Sequence, residues 1–300
     1  MLKKLSGYTL ALIGLTILFS SCKKDYESIQ SVDAKKITDY ISKNNLTGLM
    51  KEDSLKTGYY YQILSPGTGT TYKNTDSVLY NGVVQSLESG TVYLSTNTNG
   101  NLGTYVGYTN TLNGAAIPAI RDVLAKLKPG GKARIILPSH LAFGKNGLDA
   151  SNIPSNENID LYITTYPEKV QWQLDERRLQ EFVTAKGLTM IKDPSRVLYS
   201  ISAVGTGTDV ISTTSTLVVK YTGRYLDGTV FDSSTDGTFT PTVLSSLIKG
   251  WNLILPGRLL AGGKVRLLIP SDLCYGPNPT NGIAANSCLD FDIEIVSVTN

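Results

Sequence analysis

Residues 262–276 read Gly-Gly-Lys-Val-Arg-Leu-Leu-Ile-Pro-Ser-Asp-Leu-Cys-Tyr-Gly, and residues 130–144 repeat them almost position by position as Gly-Gly-Lys-Ala-Arg-Ile-Ile-Leu-Pro-Ser-His-Leu-Ala-Phe-Gly. In each copy a glycine pair opens an apolar run that Pro-Ser closes, the pattern of a strand between two turns. Working outward, Ile159, Leu161 and Ile163 alternate after the first copy as Leu289, Phe291, Ile293 and Ile295 do after the second. Upstream, Val78, Tyr80, Gly82 and Val84 alternate to one face, as do Leu217, Val219, Tyr221 and Gly223. Alternation of this kind marks half-buried strands. Further upstream, Tyr59–Ile63 and Val197–Ile201 each lead to Gly-Thr-Gly-Thr, at 67–70 and 205–208, and are read as strand and turn.

Each half opens on a helix. Ile37, Tyr40 and Ile41, and likewise Leu179, Phe182 and Val183, follow the i, i+3, i+4 spacing. The repeat predicts two domains, 33–168 and 174–300, joined by a short linker around Glu168 to Gln173. The fold class is α+β: in each domain a curled, mostly antiparallel sheet wrapped around one short helix. In the first domain that helix carries Ile120, Val123, Leu124 and Leu127 on one side and ends at Pro129-Gly130. In the second, Trp251, Ile254 and Leu255 share a face, and Pro256-Gly257 predicts a distorted, early end.

Bulk composition agrees. Three hundred residues suit two domains, and 17 tyrosines with 28 glycines favour strands and turns. The formal charge is +3; without Lys3 and Lys4 the balance is 26 basic against 25 acidic residues. No basic face is implied, so nucleic acid is not an expected partner. His140, the only histidine, has no acidic or cysteine partner at ligand spacing. Neither a histidine-based triad nor a His-containing zinc site is expected, and no metal or cofactor is called for.

Residues 1–21 read as a targeting segment: Lys3-Lys4, a mostly apolar run from Tyr8 to Phe19, then Ser20-Ser21-Cys22. The run is too short to span a bilayer as a helix and suits a signal-peptide core. Cys22 after small residues resembles the lipobox of bacterial lipoproteins, which implies lipidation of that cysteine. Phe19 departs from the usual Leu or Val, and an ordinary cleaved secretory signal is the alternative. Residues 22–32 would be a polar tether, and Lys23-Lys24-Asp25 lacks the Asp-next signal for inner-membrane retention, so an outer-membrane anchor is expected. Of the remaining cysteines, Cys274 and Cys288, two readings stay open: a disulfide in an oxidising compartment, or two small buried thiols.

Four ordered segments of the second half, Val219-Lys-Tyr-Thr-Gly223 through Asp227-Gly228 to Phe231-Asp-Ser-Ser234, Leu247-Ile-Lys-Gly-Trp251, the 262–276 stretch, and Phe291-Asp-Ile-Glu-Ile295, resemble the FKBP-type peptidyl-prolyl cis-trans isomerases. The resemblance extends over both halves. It implies a substrate proline bound between sheet and short helix, no cofactor, and rotation about X-Pro bonds of unfolded or partly folded proteins. Carried over, the catalytic pocket falls on Tyr221, Phe231, Asp232, Ile248, Trp251, Tyr275 and Phe291, with Phe239, Leu247 and Ile283 binding substrate. Trp251 would be the floor; the Ile248 N–H and the Tyr275 hydroxyl would hold substrate carbonyls. Ile283-Ala284-Ala285 departs from the family's Ile-Pro-Pro, which leaves the backbone path there open. In the first half the pocket is degenerate: Tyr80 matches, but Tyr93-Leu94, Ile120, Phe143 and Leu161 replace Phe231-Asp232, Trp251, Tyr275 and Phe291. The expected activity is therefore in the C-terminal domain. The alternative is a lipoprotein that holds proline segments or acts as a chaperone without turnover.

Overall fold

The computed structural model describes residues 27–234, 241–278, 280 and 282–300. The first domain holds β1 (Lys51–Glu52), β2 (Tyr60–Ser65), β3 (Ser77–Ser86), β4 (Val92–Ser95), β5 (Leu102–Tyr105), β6 (Thr111–Leu112), β7 (Ala115–Ala116), β8 (Lys132–Leu137) and β9 (Ile159–Thr165). The second holds β10 (Ile191–Lys192), β11 (Leu198–Ala203), β12 (Thr216–Tyr225), β13 (Val230–Ser234), β14 (Thr242–Val243), β15 (Lys264–Ile269) and β16 (Leu289–Thr299). The two sheets have the same strand order, β1-β2-β8-β9-β3-β4 and β10-β11-β15-β16-β12-β13, with β5 and β14 added beside β3 and β12. Every pairing within them is antiparallel.

The expectation of a curled sheet wrapped around a single short helix is corrected. Each sheet is open: its end strands, β1 and β4 or β10 and β13, do not pair with one another. A helix also lies against each face. The cause is the period of two in the strands. In β8, Ala133, Ile135 and Leu137 join the core under the short helix Ala119–Leu124, while Ile136 points the other way and packs with Ile37 and Ile41 of the long helix Ile29–Lys43. In β15, Val265, Leu267 and Ile269 join the core with the short helix Lys249–Ile254, while Leu268 packs with Leu179 of the long helix Gln171–Lys186. A sheet with apolar residues on both faces has to be covered twice.

The same face carries a repeated polar framework. Arg134 gives a two-pronged ion pair to Asp160, at 2.8 and 2.9 Å, as Arg266 does to Asp290, at 2.9 and 2.8 Å. Tyr40 and Phe182, from the two long helices, lie against these guanidinium groups at 5.6 and 5.9 Å. Asp33 and Asp175, both buried, accept from the backbone and hydroxyl of Ser139 and Ser271, respectively. Each carboxylate thus ties its long helix to the Pro-Ser turn of the opening motif. Burial raises the Asp175 carboxyl above its ordinary range against the pull of those bonds.

The two short helices are six residues long each, so the early end expected of the second alone is shared by the first. The first stops at Leu124, with Leu127 carried by a following turn rather than by the helix. The long second helix begins at Gln171, which makes the last residues of the expected linker helical and leaves Trp172 half-exposed upon it. The 1–21 segment and Cys22 lie outside the described residues. No described helix is long and apolar enough to cross a membrane.

Candidate functional site

The site is organised by the middle of β12. Tyr221 and Gly223 sit one step apart on the core-facing side. In register, Gly223 stands opposite Phe291 of β16 and Asp232 of β13. A Cβ on Gly223 would lie 2.7 Å from the Phe231 ring and 2.8 Å from the Phe291 ring. The missing side chain is what lets the two rings meet over bare backbone, edge to face at 5.7 Å. Trp251 enters from the short helix across the core. It makes edge-to-face contacts with Phe291 at 5.4 Å and Tyr221 at 5.7 Å, the geometry that ring quadrupoles favour. Its indole N–H is buried without an acceptor among the described residues, so neighbouring rings rather than polar bonds hold it.

At the rim, the Tyr221 hydroxyl donates to Asp232 Oδ2 at 2.5 Å. Burial first, then this bond, drives the Tyr221 phenol well above its ordinary range, and burial likewise raises Tyr275. The Ile248 N–H is not taken by another described residue, while its carbonyl starts the helix by accepting from Trp251 N at 3.1 Å. Together these residues enclose a cavity of about 250 Å³. That is slightly below the usual range for ligand pockets and suits a single ring or short side chain.

The structure brings Tyr221, Phe231, Asp232, Leu247, Ile248, Trp251, Tyr275 and Phe291 to this cavity. Ile283 is not on its wall; it is buried in the core behind, 4% exposed. Phe239 lies outside the described residues. Ser246 lines the cavity and was missed: it sits in a short turn before Leu247, and nothing in its sequence context marks a serine there. Cys274 and Cys288 are free thiols rather than a bridge, donating weakly to the carbonyls of Ile269 and Asp175, and burial raises both well above the ordinary thiol range.

In the first domain the corresponding place is a cavity of about 280 Å³ walled by Tyr80, Leu94, Leu102, Ile120 and Leu161, with Ala284 and Ala285 of the second domain at its edge. Phe143 is absent from that wall; it is buried in the first core. Where Trp251 closes the floor of one cup, Ile120 leaves the other aliphatic.

Each domain is thus an open antiparallel sheet crossed by a short helix with a small apolar cavity between them, and in the second domain that cavity is an aromatic cup. The chain belongs to the FKBP-type peptidyl-prolyl cis-trans isomerase family, whose profile matches residues 69–164 and again 207–296, more than half of its length. It is 37% identical over 123 residues to the FKBP-type isomerase FkpA of Buchnera aphidicola from Schizaphis graminum, covering 41% of this chain and 48% of that one. It is 38% identical to the outer membrane protein MIP of Legionella longbeachae, over 35% of this chain and 45% of that protein. Among solved structures it is similar to FkpA from Escherichia coli, at 32% identity and a TM-score of 0.38, over 43% of this chain and 59% of that one. The chain spans about half the length of the curated relatives it matches.

Proposed function

We propose that the second domain, residues 174–300, is a peptidyl-prolyl cis-trans isomerase acting on exported, incompletely folded proteins. The first domain, residues 33–168, is a non-catalytic copy of it. The observation that carries the reading is the aromatic cup floored by Trp251, with Phe231, Phe291 and Tyr221 as its walls. The barrier to X-Pro rotation, about 18–20 kcal/mol, is resonance lost on twisting, and uncatalysed exchange takes tens to hundreds of seconds. The twisted amide is less polarised than the planar one, so transfer into an apolar cup favours the transition state over the ground state. The Ile248 N–H and the Tyr275 hydroxyl hold the flanking carbonyls and fix the axis of rotation. Lowering the barrier by ~5–6 kcal/mol gives about 10⁴-fold.

A protease-free isomerisation assay on the full chain tests this. Catalysed exchange of an X-Pro peptide is the expected result. Binding of the peptide with an unchanged exchange rate would leave a proline-segment binder or chaperone-like protein instead. No step moves a proton, and the two phenols at the cup are raised above their ordinary value, so both stay neutral as pH rises. The expected kcat/KM is accordingly level from pH 7 to 9; a fall across that interval with a midpoint below 9 would show that a phenolate or another titrating group intervenes.

The same reading places the protein in the bacterial envelope, lipid-anchored at Cys22 and held off the bilayer by the 22–32 tether, at the outer membrane. Its support is the Lys3-to-Cys22 sequence and the printed name of the Legionella relative. Cys22→Ser is expected to move the protein from the membrane to the soluble fraction after cell lysis. Retention of the variant with membranes would rule the anchor out.

A further inference from the structure

The two domains meet at a buried polar knot that no ligand or catalytic role explains. Asn101, 1% exposed, is a first-domain residue. Its N–H donates to the Ala285 carbonyl at 3.2 Å, and its carbonyl accepts from Asn286 Nδ2 at 2.9 Å. Both partners belong to the loop that follows Ile283 in the second domain. Arg178, on the long second helix, clamps the arrangement: it donates to the Gly100 carbonyl, Asn101 Oδ1, the Asn286 carbonyl and the Tyr166 hydroxyl. Next to it, Gly100 leaves no spare room, since a Cβ there would come 2.3 Å from the Ala285 oxygen.

From that loop the contacts run into the cup. The Tyr225 hydroxyl donates to the Gly282 carbonyl at 3.0 Å and accepts from the Ala284 N–H at 3.0 Å. The Tyr225 ring then packs on Phe231 at 5.6 Å, and Phe231 is a cup wall. A second, solvent-exposed strut outside the buried knot reaches the hairpin that carries Phe231: Asn99 Nδ2 donates to Asp227 Oδ2 at 2.7 Å. Buried, satisfied polar networks hold one geometry firmly, because each displaced group would be left unpaired.

We propose that the Asn99–Asn101 turn of the first domain is a positioning element for the second. It sets the 282–286 loop and, through Tyr225, the placement of Phe231, and so tunes which residues flanking a proline the cup accepts. The substrate-selection part rests on the isomerase reading above; the loop-setting part stands on the contacts alone. The degenerate domain is thereby given a task that needs no pocket of its own.

The test uses the full chain from Lys23 with Gly100→Ala, which wedges the Ala285 carbonyl away, and Arg178→Met, which cuts the clamp. Arg178→Lys is the conservative control. Hydrogen exchange at residues 282–286 is expected to quicken by about tenfold or more in both variants, with partial recovery in Arg178→Lys. The ratio of kcat/KM for Leu-Pro and Ala-Pro peptides is expected to shift about threefold or more, which a general loss of stability would not produce. Unchanged exchange and an unchanged ratio in folded variants, with Trp251→Ala still inactive, would overturn the inference alone. A wild type without isomerase activity would overturn the substrate-selection part together with the isomerase reading, while exchange at 282–286 would still decide the loop.

Discussion

Trp251→Ala is expected to lower kcat/KM for an X-Pro peptide by about two orders of magnitude or more, equivalent to ~2.7 kcal/mol of transition-state stabilisation. The ring closes the floor of the cup and is only 4% exposed. Its removal takes away the surface under the substrate ring and both edge-to-face contacts that set Tyr221 and Phe291. Part of the loss would be structural, since truncating a buried Trp costs about 3–5 kcal/mol of stability. Trp251→Phe separates the two effects: it keeps an aromatic floor and is expected to stay within about tenfold of wild type. The assay is peptide isomerisation with circular dichroism on the same samples. Full activity in folded Trp251→Ala would move the catalytic site away from this cup.

Asp160→Ala is expected to destabilise the first domain by about 3–5 kcal/mol, read from the urea midpoint and slope. Arg134 and Asp160 form an ion pair whose side chains are 10% and 1% exposed. Taking away the carboxylate strands a guanidinium between sheet and long helix, where the Tyr40 hydroxyl and the rings of Tyr40 and Tyr162 remain for it. The equivalent Asp290→Ala is expected to cost less, because Arg266 is 30% exposed and can turn to water. A change below about 1 kcal/mol for Asp160→Ala would mean that Arg134 also escapes to solvent.

Much of this architecture could be read from the chain because it was written in local periods. The Ile159, Leu161, Ile163 alternation and the Ile37, Tyr40, Ile41 spacing each name a face, and the structure buries those faces. The cup residues were legible for a different reason: their order and spacing agree with a family across four segments. What was misread came from long-range geometry. Ile136 and Leu268 were visible as apolar residues, but only packing shows that they face a second helix, and only the strand pairing shows that the sheet stays open. Ile283 fell on the pocket list by correspondence, yet its loop turns it into the core. Ser246, Gly100 and Asn101 carry no pattern at all; their importance is set by what lies across from them.

Sequence alone determined the duplication, the four main strands and two helices of each copy, the family, and the fact that one copy has the aromatic set and the other does not. These follow from residue type and spacing along the chain, which is where period-two and period-3.6 burial is recorded. Tertiary structure alone decided that each sheet is open between two helices, that Gly223 admits two rings to one point, and that a first-domain turn bonds the loop beside the second-domain cup. Those depend on which faces meet after folding, at separations as long as Asn101 to Asn286, and no local pattern encodes a meeting of that kind.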